Sequence, residues 1–184
     1  SDVYKRQRLQ QAFAEKGIVA GDRIAAMMPN MLQTVALMLA ATSLGAVWSS
    51  CSPDFGEQGV LDRFGQIGPK LFIACDGYWY NGKRQEVADK AKAVAEKLGV
   101  PLLLVPYAGT TQTDQENQAG ILHYDDVVQQ FQARPLTYVR QPFSHPLYIL
   151  FSSGTTGVPK CIVHSAGGTL LQHLKEHRFH CELI

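Results

Sequence analysis

Two periods of hydrophobic and polar positions alternate along the chain, short apolar runs bounded by Gly, Pro or Asn and longer stretches with apolar residues three and four apart. The first kind reads as strands and the second as helices. Leu9, Ala12, Phe13 and Lys16 fit a short helix ended by Gly17, and Gly21-Asp22 then turns the chain into a strand over 23–28 that Pro29-Asn30 stops. Residues 31–44 are apolar almost all round, which predicts a buried helix before Gly45 and a short strand over 46–49. Ser52-Pro53, and Asp54 with Glu57 three residues on, have helix-start chemistry, the second pair as a capping box. Val60, Leu61, Phe64 and Ile67 keep helical spacing up to Gly68-Pro69, and 71–75 supplies the next strand.

The clearest helical pattern covers 84–98, where Val87, Ala88, Ala91, Val94, Ala95 and Leu98 share a face opposite a charged one, with Gly99 and Pro101 as the stop. A strand over 101–105 follows. Residues 107–120 turn to Thr, Gln, Asp and Asn with almost nothing to bury, which predicts a mobile surface loop without chemistry. A helix over 124–132 and an extended, Pro-punctuated stretch over 135–146 lead to a strand over 147–151. The alternation predicts an α/β fold, a mainly parallel sheet with helices on both faces.

Composition narrows the function classes. The chain has 184 residues, 46% of them hydrophobic, enough for a sizeable core in the usual range of roughly 100 to 200 residues per domain. Its longest apolar stretches, such as 35–41, fall well short of the roughly 20 residues that cross a bilayer, and no charged-then-apolar leader opens it. A cytoplasmic protein without membrane partners is expected. Seventeen Lys and Arg against sixteen Asp and Glu leave a net charge of +1 and no dense basic run, so nucleic acid is not an expected partner. Cys51, Cys75, Cys161 and Cys181 form no C-x-x-C pair and are expected as free, mostly buried thiols. The opening Ser1, the polar and aperiodic residues 1–7, expected to be disordered, and an end within a helical pattern suggest a piece of a longer reading frame.

The chemistry concentrates in Ser152-Ser153-Gly154-Thr155-Thr156-Gly157-Val158-Pro159-Lys160, directly after the strand over 147–151. Two glycines let backbone N–H groups converge on an anion, four hydroxyls add donors, and the lysine adds a mobile positive charge. A polyphosphate needs that combination. A flexible Ser/Gly linker has no reason to be wedged between two strands or to end in Pro-Lys. A Walker A loop requires Gly-Lys followed by Ser or Thr, whereas Pro159-Lys160 is followed by Cys161.

These nine residues resemble, without a gap, the signature loop of the acyl-adenylate-forming superfamily, which includes acyl-CoA synthetases, luciferases and peptide-synthetase adenylation domains. The superfamily pattern continues with Gly, and here Cys161-Ile162-Val163-His164 departs from it. Together with WSSCSPDF over 48–55, VLDRF over 60–64, YNGK over 80–83 and GGTLLQHLKEH over 167–177, the departure resembles the acetoacetyl-CoA synthetase branch. The resemblance covers 8–184 as the incomplete front portion of an adenylating large domain, leaves 1–7 unmatched, and implies that the mobile C-terminal domain lies elsewhere. It implies ATP with Mg²⁺, a short keto or carboxylic acid and CoA as small-molecule partners. The implied reaction forms an acyl-adenylate with release of pyrophosphate, then the acyl-CoA and AMP. Acetate or propionate is the alternative acid, and a non-catalytic nucleotide-binding module the alternative class.

Carried over residue by residue, the resemblance assigns Ser153, Gly154, Thr155, Thr156 and Gly157 to the β- and γ-phosphates, with Ser152 supporting the loop from its base. Lys160 and Thr156 are the catalytic candidates. His164, a position often His in related ligases, either orients the loop, approaches a ligand, or is a core histidine satisfied by backbone. Gly167-Gly168 are expected to allow a tight strand-to-helix turn, with close approach to substrate as the second role. Trp48 and Trp79 are expected to pack. His173-Leu174-Lys175-Glu176-His177 has the H-x-x-E-H spacing of a metalloprotease group, but no carboxylate ligand follows it, so no metal site is assigned and exposed or helix-capping histidines are expected.

Overall fold

The structure, a computed structural model, describes residues 2–108, 119–152 and 157–181. In chain order the elements are α1 (Asp2–Glu15), β1 (Arg23–Met27), α2 (Leu32–Ser43), β2 (Val47–Cys51), α3 (Glu57–Phe64), β3 (Leu71–Cys75), β4 (Gly77–Tyr80) and β5 (Lys83–Glu86). They continue with α4 (Ala88–Leu98), β6 (Leu102–Val105), β7 (Ile121–His123), α5 (Tyr124–Gln129), β8 (Pro146–Phe151), β9 (Cys161–Ser165) and α6 (Ala166–Phe179). Seven strands form one sheet in the order β7-β6-β3-β1-β2-β8-β9, parallel throughout except for the antiparallel pair β8–β9. The expected α/β architecture is thus present.

The central strands are apolar on both sides because both faces are covered. All five residues of β3 are buried, as are Ile24 to Met27 of β1. Each fully buried Leu, Ile or Phe there contributes roughly 1.5–3 kcal/mol. Right-handed crossovers place α2, reached from β1, on one face, and α3 and α4, which lead back past β1 to β3 and β6, on the other. The packing agrees: α1 lies against α2 and α5, while α3 lies against α4.

Several boundaries differ from the sequence reading for identifiable reasons. Residues 2–7, for which the polar sequence predicts no regular structure, form the first turns of α1. The helix predicted over 84–98 begins only at Ala88, because Asn81 (φ 49°) and Gly82 (φ 72°) form the left-handed turn that closes a β4–β5 hairpin, with Tyr80 paired to Lys83. The capping box does not form: Gly56 is the N-cap of α3 without a side-chain cap, and Glu57 pairs instead with Lys97 of α4. α2 is not buried all round, since Leu32 and Val35 are at least half exposed. Trp48 packs in the core, but Trp79 on the hairpin is 59% exposed. Within the predicted surface loop, residues 109–118 lie outside the described residues, and β7 follows directly at Ile121. Among the described residues no helix is long and apolar enough to cross a membrane.

The cysteines are free, but they are not mostly buried: Cys75 is buried and Cys51 half-buried, whereas Cys161 and Cys181 are exposed. Burial disfavours the thiolate and pushes both Cys51 and Cys75 up to about 12. At about pH 8, iodoacetamide is therefore expected to alkylate Cys161 and Cys181 in the native chain, and Cys51 and Cys75 only after denaturation. Mass mapping of the labelled peptides checks this; native labelling of Cys75 would contradict the packing described.

Candidate phosphate-loop site

The loop over 152–160 connects two antiparallel neighbours, β8 and β9, paired from Pro146 with Ser165 to Phe151 with Cys161. Antiparallel pairing brings the loop's two ends together, and the backbone N–H of Ser152 donates to the carbonyl of Lys160 at 3.1 Å. The nine-residue run is thereby closed at its base. Gly157 has φ 96°, a left-handed conformation that a side chain would strain. Ser153, Gly154, Thr155 and Thr156 lie outside the described residues. Lys160 is exposed, and among the described residues none of the ion pairs includes it.

The loop is held against the sheet by residues the sequence reading did not select. β8 pairs with β2 only at Trp48 and Tyr148, and the buried Ser49 hydroxyl adds a bond to the Ile149 carbonyl at 2.7 Å. Phe64 of α3 meets Phe151, the last residue of β8, with ring centroids 6.3 Å apart. Two residues further on, the Gln66 side chain donates to the Pro159 carbonyl at 2.8 Å. No local pattern announces Gln66, because its partner is 93 positions away.

The remaining candidates lie beside this base. His164 stands opposite Tyr148 in the β8–β9 ladder and is exposed in this chain. With Tyr148, Leu150, Ser165, Thr169 and His173 it lines a cavity of about 410 Å³ between the hairpin and α6. β9 passes directly into α6 at Ser165–Ala166, and Gly167 and Gly168 sit within the first turn of the helix, neither at positive φ. A Cβ on Gly167 would run into the Phe143 ring, and one on Gly168 would stand 2.9 Å from Ser165 Oγ. Close packing is the reason for glycine there. Ser165 is the N-cap of α6, its Oγ accepting the Gly168 N–H at 3.1 Å.

His173 and His177 lie one turn apart on α6 with ring centroids 6.5 Å apart, and both are exposed. Among the described residues no three His, Cys, Asp or Glu side chains come together to hold a metal ion. The described part of the loop thus offers a backbone closed at its base, a glycine at positive φ and an exposed lysine that joins none of the ion pairs among the described residues.

Comparison with known proteins gives a consistent set of likenesses. The profile of the AMP-binding enzyme family matches residues 4–182. Acetoacetyl-coenzyme A synthetase of Rhizobium meliloti (strain 1021) is 70% identical over 176 residues, which cover 96% of this chain and 27% of that protein. Acetoacetyl-CoA synthetase of Gallus gallus is 46% identical over 177 residues, covering 92% and 26%. Among solved structures, acetoacetyl-CoA synthetase from Streptomyces lividans superposes with a TM-score of 0.88 at 38% identity, over 99% of this chain and 28% of that one. The chain therefore spans about a quarter of the length of the curated relatives it matches.

Proposed function

The chain belongs to the AMP-binding enzyme family, and from that premise we propose that it is the phosphate-loop portion of an ATP-dependent acid–CoA ligase whose acid is acetoacetate. The observation that carries this reading is the loop over 152–160, closed at its base by the Ser152–Lys160 bond and presenting an exposed lysine that joins none of the ion pairs among the described residues. The resemblance to acetoacetyl-CoA synthetases supports the choice of acid.

In the first step a carboxylate oxygen of the acid attacks the α-phosphorus of ATP. The new P–O bond forms as the bond to the bridging oxygen breaks, and pyrophosphate leaves with that electron pair. Two anions must approach, so charge must be screened and the leaving group stabilised. Ser153, Gly154, Thr155, Thr156 and Gly157 act as donors to the β- and γ-phosphates, Lys160 follows the departing pyrophosphate, and Ser152 supports the loop base. His164, Gly167 and Gly168 support the adjoining wall. In the second step the CoA thiol sulfur attacks the acyl carbon, AMP departs, and the thiol proton is lost to solvent. Mg²⁺ bound with ATP supplies further charge screening; the described residues offer it no three-ligand set.

The test is acid-dependent ATP–pyrophosphate exchange by the complete protein carrying this sequence, with acetoacetate, acetate, propionate and butyrate, and with this chain run alongside. Exchange strongest with acetoacetate supports the reading, and exchange strongest with acetate or propionate reassigns the acid. No exchange with any acid in the complete protein sinks the ligase and leaves a phosphate-binding module.

A further inference from the structure

Gln66 stands one residue past the glycine that ends α3, and its amide is fully used. A glutamine amide has two N–H donors and one carbonyl acceptor. One N–H returns to its own helix at the Asp62 carbonyl, 2.6 Å away, and the other goes to the Pro159 carbonyl at 2.8 Å. The oxygen faces the Cys161 thiol, which donates to it at 3.6 Å. These last two partners are the residues on either side of Lys160. With the Lys160 carbonyl accepting from the Ser152 N–H, the chain is held by a backbone carbonyl before Lys160, by the lysine's own carbonyl, and by the Cys161 side chain after it.

The anchor is itself hydrogen-bonded on its own side. Gln66 N–H donates to the Arg63 carbonyl, and Ile67 N–H to Phe64. The guanidinium of Arg23, the first residue of the central strand β1, donates to the carbonyls of Ile67 and Gly68, each at 2.8 Å. The exposed Gln66 therefore links the half-buried start of β1 to the exposed end of the phosphate loop. We infer that Gln66 is a positioning residue for Lys160, holding the lysine where it meets the leaving pyrophosphate. The inference rests on the reading of Lys160 given above. Cys161, which stands where the superfamily pattern has glycine, supplies a side chain for Gln66 to hold.

The test compares Gln66→Met, which keeps the length and removes every donor and acceptor, with Gln66→Asn, which keeps the amide one methylene short. In the complete protein Gln66→Met is expected to lower the maximal acid-dependent exchange rate about tenfold, since small misplacements of an orienting group cost that much or more. The KM for the carboxylate should stay unchanged and the melting temperature should move by no more than about 2 °C. Gln66→Asn should recover part of the rate. In a Lys160→Ala background the Gln66→Met effect should fall below about twofold, because the two residues act as one unit. An undiminished tenfold effect in that background, or no rate loss at all, overturns the assignment. A second readout does not depend on the ligase reading. In this chain with Cys181→Ser, freeing the Cys161 thiol by Gln66→Met should raise its alkylation rate about threefold or more. Unchanged alkylation overturns the tether itself, whereas absence of exchange in the unsubstituted protein removes only the proposed reaction.

Discussion

Replacing Thr156 with alanine in the complete protein is expected to slow acid-dependent adenylation by about 10²–10³-fold, the usual cost of deleting one donor from a site that stabilises developing negative charge. Charge on the leaving pyrophosphate grows as the bridging bond breaks, so a hydroxyl aimed at it gains strength in the transition state. The loss should therefore fall on the maximal rate more than on the KM for ATP. In barrier terms it is about 2.7–4 kcal/mol. Thr156→Ser keeps the hydroxyl and should retain most of the activity. The pair separates a lost donor from a disturbed loop, and a rate within a factor of two for Thr156→Ala in pyrophosphate exchange would count decisively against the assignment.

Where the sequence was legible, a local signal matched the burial. β3 is legible at its true bounds because five consecutive apolar residues, Leu71 to Cys75, are buried on both faces and punctuated by Gly68-Pro69 before them. The far end of α4 was equally plain from Gly99, which adopts the left-handed C-cap. Its near end differs from the sequence expectation although a signal is present: Asn81-Gly82 after Tyr78-Trp79-Tyr80 is a hairpin turn, and the charged periodicity of the following residues conceals it. The capping box failed for a tertiary reason, since Glu57 finds Lys97 on the neighbouring helix. β7 has only three residues, none fully buried, too short for any period to show.

The candidate site divides in the same way. Its chain segment was legible because glycines, hydroxyls and lysine are contiguous, and the hairpin that closes it follows from the flanking strands. Its supports were not. Ser49 bonds to Ile149 across 100 positions and Gln66 to Pro159 across 93. Such bonds follow from how the layers pack and leave no trace in local composition. The glycines at 167 and 168 stand out in the sequence, but what they pack against does not: the Phe143 ring occupies the space a side chain at 167 would need, and Ser165 Oγ lies where one at 168 would come.

The same layer packing makes Phe64→Ala one of the most destabilising single changes expected in the core. Phe64 is fully buried, its ring 5.9 Å from that of Phe72 on β3 and 6.3 Å from that of Phe151 at the end of β8. Removing it forfeits the transfer energy of the ring and leaves a void between α3 and the sheet, a loss of about 3–5 kcal/mol. A domain of ordinary stability has only about 5–15 kcal/mol in total, so most of the margin goes. Phe55, exposed and stacked under the Arg63 guanidinium at 4.0 Å, is the control, since Phe55→Ala should cost no more than about 1 kcal/mol. Urea unfolding of the three chains checks the contrast. A loss below about 1 kcal/mol for Phe64→Ala would mean that α3 does not pack on the sheet as described. A large loss, with pyrophosphate exchange surviving at low temperature in the complete protein, would place Phe64 under the loop as a structural support and leave the chemistry to the residues above it.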